Sequence, residues 1–223
     1  MKHLKFLDKC YFPLSLSMIF LCFSFAAQSK DNKSCGIVPG KPLANAYGPW
    51  DFTNPKHANK IPRVLGAHFT TDVERLIKGK SGSILGDIDY TLRAIPNYHR
   101  ALNAISRYYR TERPVSYYTV DCYFKRALYF QPNDPTTHML YAMHFHYLTK
   151  YENALKYYQN AMSLAPNNPE IHYNMGLFYV DTGDYDKAIK YANTAYKIGY
   201  PLKGLSNRLK EKKDYTVSMQ PSQ

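Results

Sequence analysis

Between positions 68 and 100 the sequence gathers six polar side chains that could act together: His68, Asp87, Asp89, Arg93, His99 and Arg100. A histidine beside an aspartate is the smallest set that makes a general base or starts a metal site, and arginines would hold an anion. Nothing around them extends that chemistry, since no HExxH, nucleophile-elbow or Cys–His signature is present. Gly79-Lys80-Ser81 has the ending of a phosphate-binding loop, but the earlier glycine that the motif needs is missing. Asp87 and Asp89 are carboxylates of the kind that bind calcium, yet the other oxygen ligands of a helix-loop-helix site are missing. Asp89 reads instead as the cap of a helix carrying Tyr90, Thr91 and Leu92. The cluster is therefore read as a hydrogen-bond and salt network. A small-ligand or metal site on His68, Asp89 and His99 is the alternative, and an enzyme a more distant one. No catalytic residue, metal or cofactor is assigned.

The second candidate chemistry is sulfur. Cys10 and Cys22 lie in the first 29 residues, which leaves Cys35 and Cys122 as an even pair. Such a pair in an exported chain can form a disulfide, with two unpaired thiols as the alternative. The start of the chain predicts export. Lys2, Lys5 and Lys9 precede an apolar run from Phe12 to Ala26, and small residues follow, which is a signal-peptide pattern over 1–29 with cleavage after Ala27 or Ser29. The run is short of the roughly 20 residues that span a bilayer, so an uncleaved anchor is the lesser reading.

These side chains need elements to hold them. Residues 30–62 are punctuated by Gly40, Pro42, Gly48, Pro49 and Pro55, which predicts an extended arm anchored through Trp50 and Phe52. Val64, Leu65, Phe69, Val73, Leu76 and Ile77 recur at helical spacing and predict one helix over 57–79. After Pro96, Asn97 is positioned to cap a helix bearing Ala101, Leu102 and Ile105, and another helix runs over 117–131.

The strongest pattern lies downstream. Residues 135–168 and 169–202 align at an offset of 34 residues. Ala142 pairs with Gly176, Phe145 with Tyr179, Tyr151 with Tyr185, Ala154 with Ala188 and Ala161 with Ala195. Small residues mark where two helices touch, and the aromatic ones fill the space around them. Residues 98–132 follow the same order with a longer middle turn. His138 and His172 occupy the first aromatic position, and with His144 and His146 they are read as packing or solvated side chains.

This period resembles the tetratricopeptide repeat. The chain beyond its leader also resembles a group of uncharacterised, exported tetratricopeptide repeat proteins of Gram-negative bacteria. That likeness rests on Tyr47-Gly48-Pro49-Trp50-Asp51-Phe52, Ala67-His68-Phe69-Thr70, Asp87 to Leu102, His172 to Gly176, and Gly199 to Leu205. Some members carry an ABC transporter permease label, but no segment after the leader here is long and apolar enough to span a membrane. The resemblance implies an all-α fold, a helical repeat array with an extended and helical N-terminal region, and a periplasmic or secreted location. It implies no activity.

The resulting organisation is a leader at 1–29, an N-terminal region at 30–96, an array at 97–200, and a capping helix with frayed tail at 203–223. The expected function is a non-enzymatic scaffold gripping a peptide or protein. Its groove is expected at Thr137, Met139, His144, Tyr173, Asn174 and Phe178 on the first helices of the two clear repeats. A competing arrangement has the N-terminal arm filling that groove, with partners bound elsewhere. The formal net charge of +12 favours acidic partners and allows peripheral membrane contact. The charges are scattered and carry no zinc-finger or RNA-recognition signature, which speaks against nucleic acid.

Overall fold

The computed structural model describes residues 34–111 and 118–212. The leader at 1–29, the turn expected after the first repeat's opening helix at 112–117, and the tail beyond 212 lie outside the described residues. Ten α-helices and no strand occur among those described. They are α1 (Ile61–His68), α2 (Thr71–Glu74), α3 (Ile84–Ala94), α4 (His99–Tyr109), α5 (Val120–Phe130), α6 (Pro135–Tyr147), α7 (Tyr151–Leu164), α8 (Pro169–Asp181), α9 (Tyr185–Lys197) and α10 (Gly204–Lys212). The fold is an all-α helical repeat array.

One junction recurs three times. Ile95-Pro96-Asn97-Tyr98, Gln131-Pro132-Asn133-Asp134 and Ala165-Pro166-Asn167-Asn168 each join one helix to the next. The first residue of each has nearly the same backbone, with φ/ψ of −136/79°, −134/82° and −142/72°. Its N–H closes the preceding helix onto Thr91, Ala127 or Ala161. Proline then blocks helix continuation. In the second and third, the last residue caps the next helix. Asp134 accepts from Thr136 and Thr137 N–H, and Asn168 accepts from Glu170 and Ile171 N–H. Each such cap is worth about 1 kcal/mol. Pro135 and Pro169 follow at the first helical turn, where a missing N–H is harmless.

The first of these junctions joins α3 to α4, and α1 and α2 pack on α3. The single helix expected over 57–79 is not formed. It ends at His68, the chain extends at Thr70, and α2 is a single turn that stops before Leu76 at φ 61°. The break lets Phe69 and Val73 both bury, with the Phe69 ring 5.4 Å from Tyr98. Two assigned caps also move. Ser83 caps α3 through the Gly86 N–H, so Asp89 lies inside the helix. Tyr98 stands at the start of α4, while Asn97 is fully buried and bonded elsewhere.

Within a unit the helices meet through side chains that are nearly absent. Ala142, Ala154, Ala161, Ala188, Ala192 and Ala195 have no exposed surface. At Gly176 a β-carbon would lie 2.4 Å from the Leu205 side chain of α10. This close approach seats α10 on α8 and α9, where Leu205 and Leu209 are fully buried. Burial of each leucine stabilises by about 1.5–3 kcal/mol.

The N-terminal arm lies along the ends of α3, α4 and α5. Trp50 N–H donates to Ala94 O at 2.8 Å. Asp51, largely buried, accepts from Asn97 Nδ2 at 2.7 Å, Gln131 Nε2 at 2.6 Å and Thr53 N–H at 2.9 Å. Arg126 reaches Cys35 O at 3.1 Å, and the Tyr129 hydroxyl lies 3.0 and 2.8 Å from Val38 O and Lys41 O. The Cys35 and Cys122 Sγ atoms are bonded. Among the described residues the hydrogen bonds that hold the arm end on α3, α5 and the junction residues Asn97 and Gln131, and none ends on α6 or α8, where the groove on the two clear repeats was expected.

The turns inside the two clear repeats differ at one position. Gly183 has φ 81°, and Thr149, 34 residues earlier, has φ 55°. A left-handed backbone costs a β-branched residue about 1–2 kcal/mol and costs glycine almost nothing. Thr149→Gly is expected to raise the unfolding free energy by about 1 kcal/mol, and Gly183→Thr to lower it by a similar amount. Urea titration of both variants measures this; a destabilised Thr149→Gly protein would contradict it.

Candidate functional site

The six polar residues expected to form a cluster do not share one site. His68 Nδ1 sits 2.9 Å from Asp87 Oδ1, tying α1 to α3, with its ring against Tyr90 at 4.0 Å. The same Asp87 carboxylate accepts the Lys80 N–H at 2.6 Å and the Ser81 N–H at 3.0 Å. Burial pushes the Asp87 carboxyl up, but donation from His68, Lys80 and Ser81 outweighs it and holds it below the usual range. The Lys80 and Ser81 N–H groups are thus already bonded to an internal carboxylate.

Asp89 belongs to a second set. It accepts from Arg93 Nε at 2.9 Å and from the Tyr123 hydroxyl at 2.7 Å, and Arg93 also donates to Asn45 Oδ1 at 3.1 Å. Burial and the Asp89 charge keep the Tyr123 phenol protonated. His99 belongs to a third, with Nε2 at 2.6 Å from Asp134 Oδ2, on the carboxylate that caps α6. Burial raises the Asp134 pKa, and the bonds from His99 and Thr137 reverse the shift, leaving it lowered. Arg100 pairs with Glu74 on α2. These are four separate ties between helices. His68, Asp89 and His99 each have a different acidic or basic partner, so the expected convergence of those three is corrected. Among the described residues no group of three or more His, Cys, Asp or Glu side chains is placed to hold a metal ion. An open depression of about 430 Å³ at the α8–α9 turn, lined by Thr182 to Asp186, includes none of the six.

The six expected groove residues are also corrected. Thr137, Met139, His144, Tyr173, Asn174 and Phe178 are all buried between helices. Thr137 Oγ1 donates to Asp134, and Asn174 Nδ2 donates to Glu170 O at 2.9 Å. Phe178 packs against His146 and Tyr158, and Tyr173 against Tyr200. The reason is that α6 and α8 are covered by neighbours on both sides, so most of their positions are interior. The face they leave open carries Met143, His146 and Tyr147 on α6, and Glu170, Leu177 and Asp181 on α8. The corresponding stripe of α4 carries Arg100, Asn103, Arg107 and Arg110 at helical spacing.

The histidines at the first aromatic position make one contact twice. His138 Nε2 lies 2.9 Å from Pro132 O, and His172 Nε2 lies 2.7 Å from Pro166 O, each closing the junction behind it. His146 Nε2 meets Asp181 at 3.0 Å, and Arg208 of α10 holds the same carboxylate. His144 is packed beside Phe124 and Tyr109, 3.0 Å from Ser106 Oγ. Burial pushes its pKa down to about 4, assisted by the Arg110 and Lys150 charges and opposed by Asp121.

Residues 145–183 match a family model described as TPR repeat, and residues 169–199 match one described as Tetratricopeptide repeat. No curated protein matches the chain. Among solved structures, a chain described as "Crystal structure of MamA" is similar at 16% identity and a TM-score of 0.40, over 72% of this chain and 96% of that one.

The neutral His144 makes stability depend on pH in one direction. In the unfolded chain it binds a proton near its ordinary value of 6.5, whereas in the fold it does so only near 4. Unfolding free energy is therefore undiminished above about pH 6.5 and falls as pH drops toward 4, by at most about 3 kcal/mol from this group. The lowered carboxyls of Asp51, Asp87 and Asp134 act later. Their contribution is present above 3.8 and is lost as pH falls through their lower folded values. Urea unfolding at pH 7 and pH 5 should show the drop, and His144→Phe and His144→Gln should both reduce it, with burial of His146, whose pKa is also lowered, supplying the rest. An unchanged slope in both variants would show that His144 is not its source.

Proposed function

We propose that the protein is a non-enzymatic scaffold, exported from the cytoplasm, that holds a polypeptide partner on the open face of α4, α6 and α8. One observation carries this reading. The polar residues that might have served chemistry are used up in ties between helices, while a continuous face of first helices is left with half-buried Met143 and Leu177, exposed Tyr147, and basic Arg107 and Arg110. Aromatic residues, Met and Arg are the side chains enriched in protein interfaces. The repeat matches over 145–199 agree with it, since stacked helix pairs of this type present extended binding surfaces. A photo-cross-linking residue at Met143 or Leu177 should capture a polypeptide in the native cell, whereas one at Lys190 or Lys197 of α9 should not. Equal capture from both faces, or none from the first, defeats the proposal.

Export rests on the basic-apolar-small pattern of 1–29 and is supported by the Cys35–Cys122 bond, which persists in oxidising compartments. Protein isolated from its native compartment should resist thiol alkylation until reduced. Replacing both cysteines by serine should lower the unfolding free energy by about 2–4 kcal/mol, because the bond closes a loop of 87 residues. Two alkylatable thiols in the untreated native protein would count against both the bond and the compartment.

A further inference from the structure

The open face is not uniform. Near the C-terminal ends of α4 and α6 stand three cations, Arg107, Arg110 and Lys150; Arg107 acts on Arg110, and Arg110 and Lys150 both act on His144. Arg110 lies over the Tyr147 ring at 4.3 Å and has no acidic partner among the described residues. Its charge is disfavoured by burial and by Arg107, and is helped by Tyr147. Arg107 donates through NH2 to the Glu74 backbone oxygen, while its Nε is buried with no partner. Lys150, in the α6–α7 turn, is exposed, and its charge reaches the same His144 ring that Arg110 does. The helix C-termini offset part of this, but each supplies only about half a negative charge, so two ends leave a surplus against three full positive ones.

Among the described residues, the acids around this corner are already engaged. Glu74 is held by Arg100, Asp121 by Lys125 and the Tyr141 hydroxyl, and Asp181 by Arg208 and His146. They bound the corner instead of neutralising it. Tyr109 and Tyr147 stand exposed beside the cations, and the Tyr109 ring is 5.7 Å from His144.

We propose that Arg107, Arg110 and Lys150, with the rings of Tyr109 and Tyr147, are the docking point for a carboxylate-rich segment of the partner polypeptide. This rests on the scaffold reading above and supplies its chemistry. Charge complementarity names the anion, and arginine presents the planar fork that takes a carboxylate through two bonds. The short extent of the corner, closed by acids on the α2 and α8 sides, favours a few carboxylates over a long polyanion, which would meet Glu74 or Asp181 at either edge. The exposed tyrosines suit the body of a peptide chain.

The test uses the full chain and a fluorescein-labelled peptide of alternating glutamate and glycine, with its glutamine counterpart as control, read by anisotropy. The wild-type protein should bind the glutamate peptide and not the glutamine one, and should weaken as salt rises. Arg110→Gln combined with Lys150→Gln should weaken binding by about tenfold, whereas Lys190→Gln combined with Lys197→Gln, an equal loss of charge on α9, should change it less than twofold. Equal weakening by the two pairs would reduce the effect to net charge and overturn the docking point. Tighter binding of heparin fragments or anionic phospholipid vesicles than of the peptide would overturn the choice of occupant. Thermal melts of both pairs confirm that the fold persists, and Arg107→Gln serves as an independent variant if the first pair melts early. If a partner still cross-links equally well from Met143 in the Arg110→Gln, Lys150→Gln protein, the docking point falls while the scaffold reading stands. If nothing cross-links from wild type, the scaffold reading itself falls.

Discussion

The close approach of helices through missing side chains is what the rest of the molecule depends on. Ala142 on α6 and Ala154 on α7 are fully buried, and one unit later Gly176 on α8, pressed by Leu205 of α10 and near Ala188 O, and the fully buried Ala188 on α9 take their places. Larger groups there would push the helices apart and cost about 1–3 kcal/mol in strain. Because those helices approach so closely, the aromatic residues around the contact have little freedom. Phe124, Tyr141, Phe145 and Tyr157 stack in sequence, and Tyr179 stacks with Tyr191 a repeat away. The same constraint turns α6 and α8 into nearly interior helices, and so decides which side chains can meet a partner.

A second economy concerns polar groups. A buried carboxylate must be satisfied, and here each is satisfied by joining two or more segments. Asp51 joins the arm to the α3–α4 and α5–α6 junctions, Asp87 joins α1 and the Lys80–Ser81 turn to α3, Asp89 joins α3 to α5, and Asp134 joins α4 to α6. Groups that look like chemistry in a linear sequence are in this way the fasteners of a stack. What is left for binding is the charge that the stack does not consume, part of which stands at the ends of α4 and α6 in Arg107, Arg110 and Lys150.

Much of this was legible in advance. The 34-residue offset located four helices to within a few residues, because small and aromatic residues at fixed spacing are a local consequence of helix pairing. The capping helix was expected from Leu202, Leu205 and Leu209; Leu205 and Leu209 are buried on α10, whereas Leu202 precedes it and is exposed. Less legible were features that depend on a partner distant in the chain. Asn97 looks like a cap, and only the arrival of Asp51 from 46 residues away shows that its amide is spoken for. The break of the first helix at Phe69–Thr70 was equally hidden, because it depends on Phe69 meeting Tyr98, 29 residues away.

The groove residues show the division most clearly. Helical period alone says that Thr137, Met139 and His144 are spread around α6, but not which side another helix will cover. That depends on the crossing of α6 with α4, α7 and α8 together, a property of the packed array. The sequence by itself determined the all-α class, the repeat period and the surplus of positive charge, since each is written in residue types at short spacing. Tertiary structure alone decided which of those charges pair and which stay open. Whether Arg100 meets Glu74 and Arg110 meets no acid among the described residues is settled by distance across helices, and electrostatic energy follows that distance rather than position in the chain.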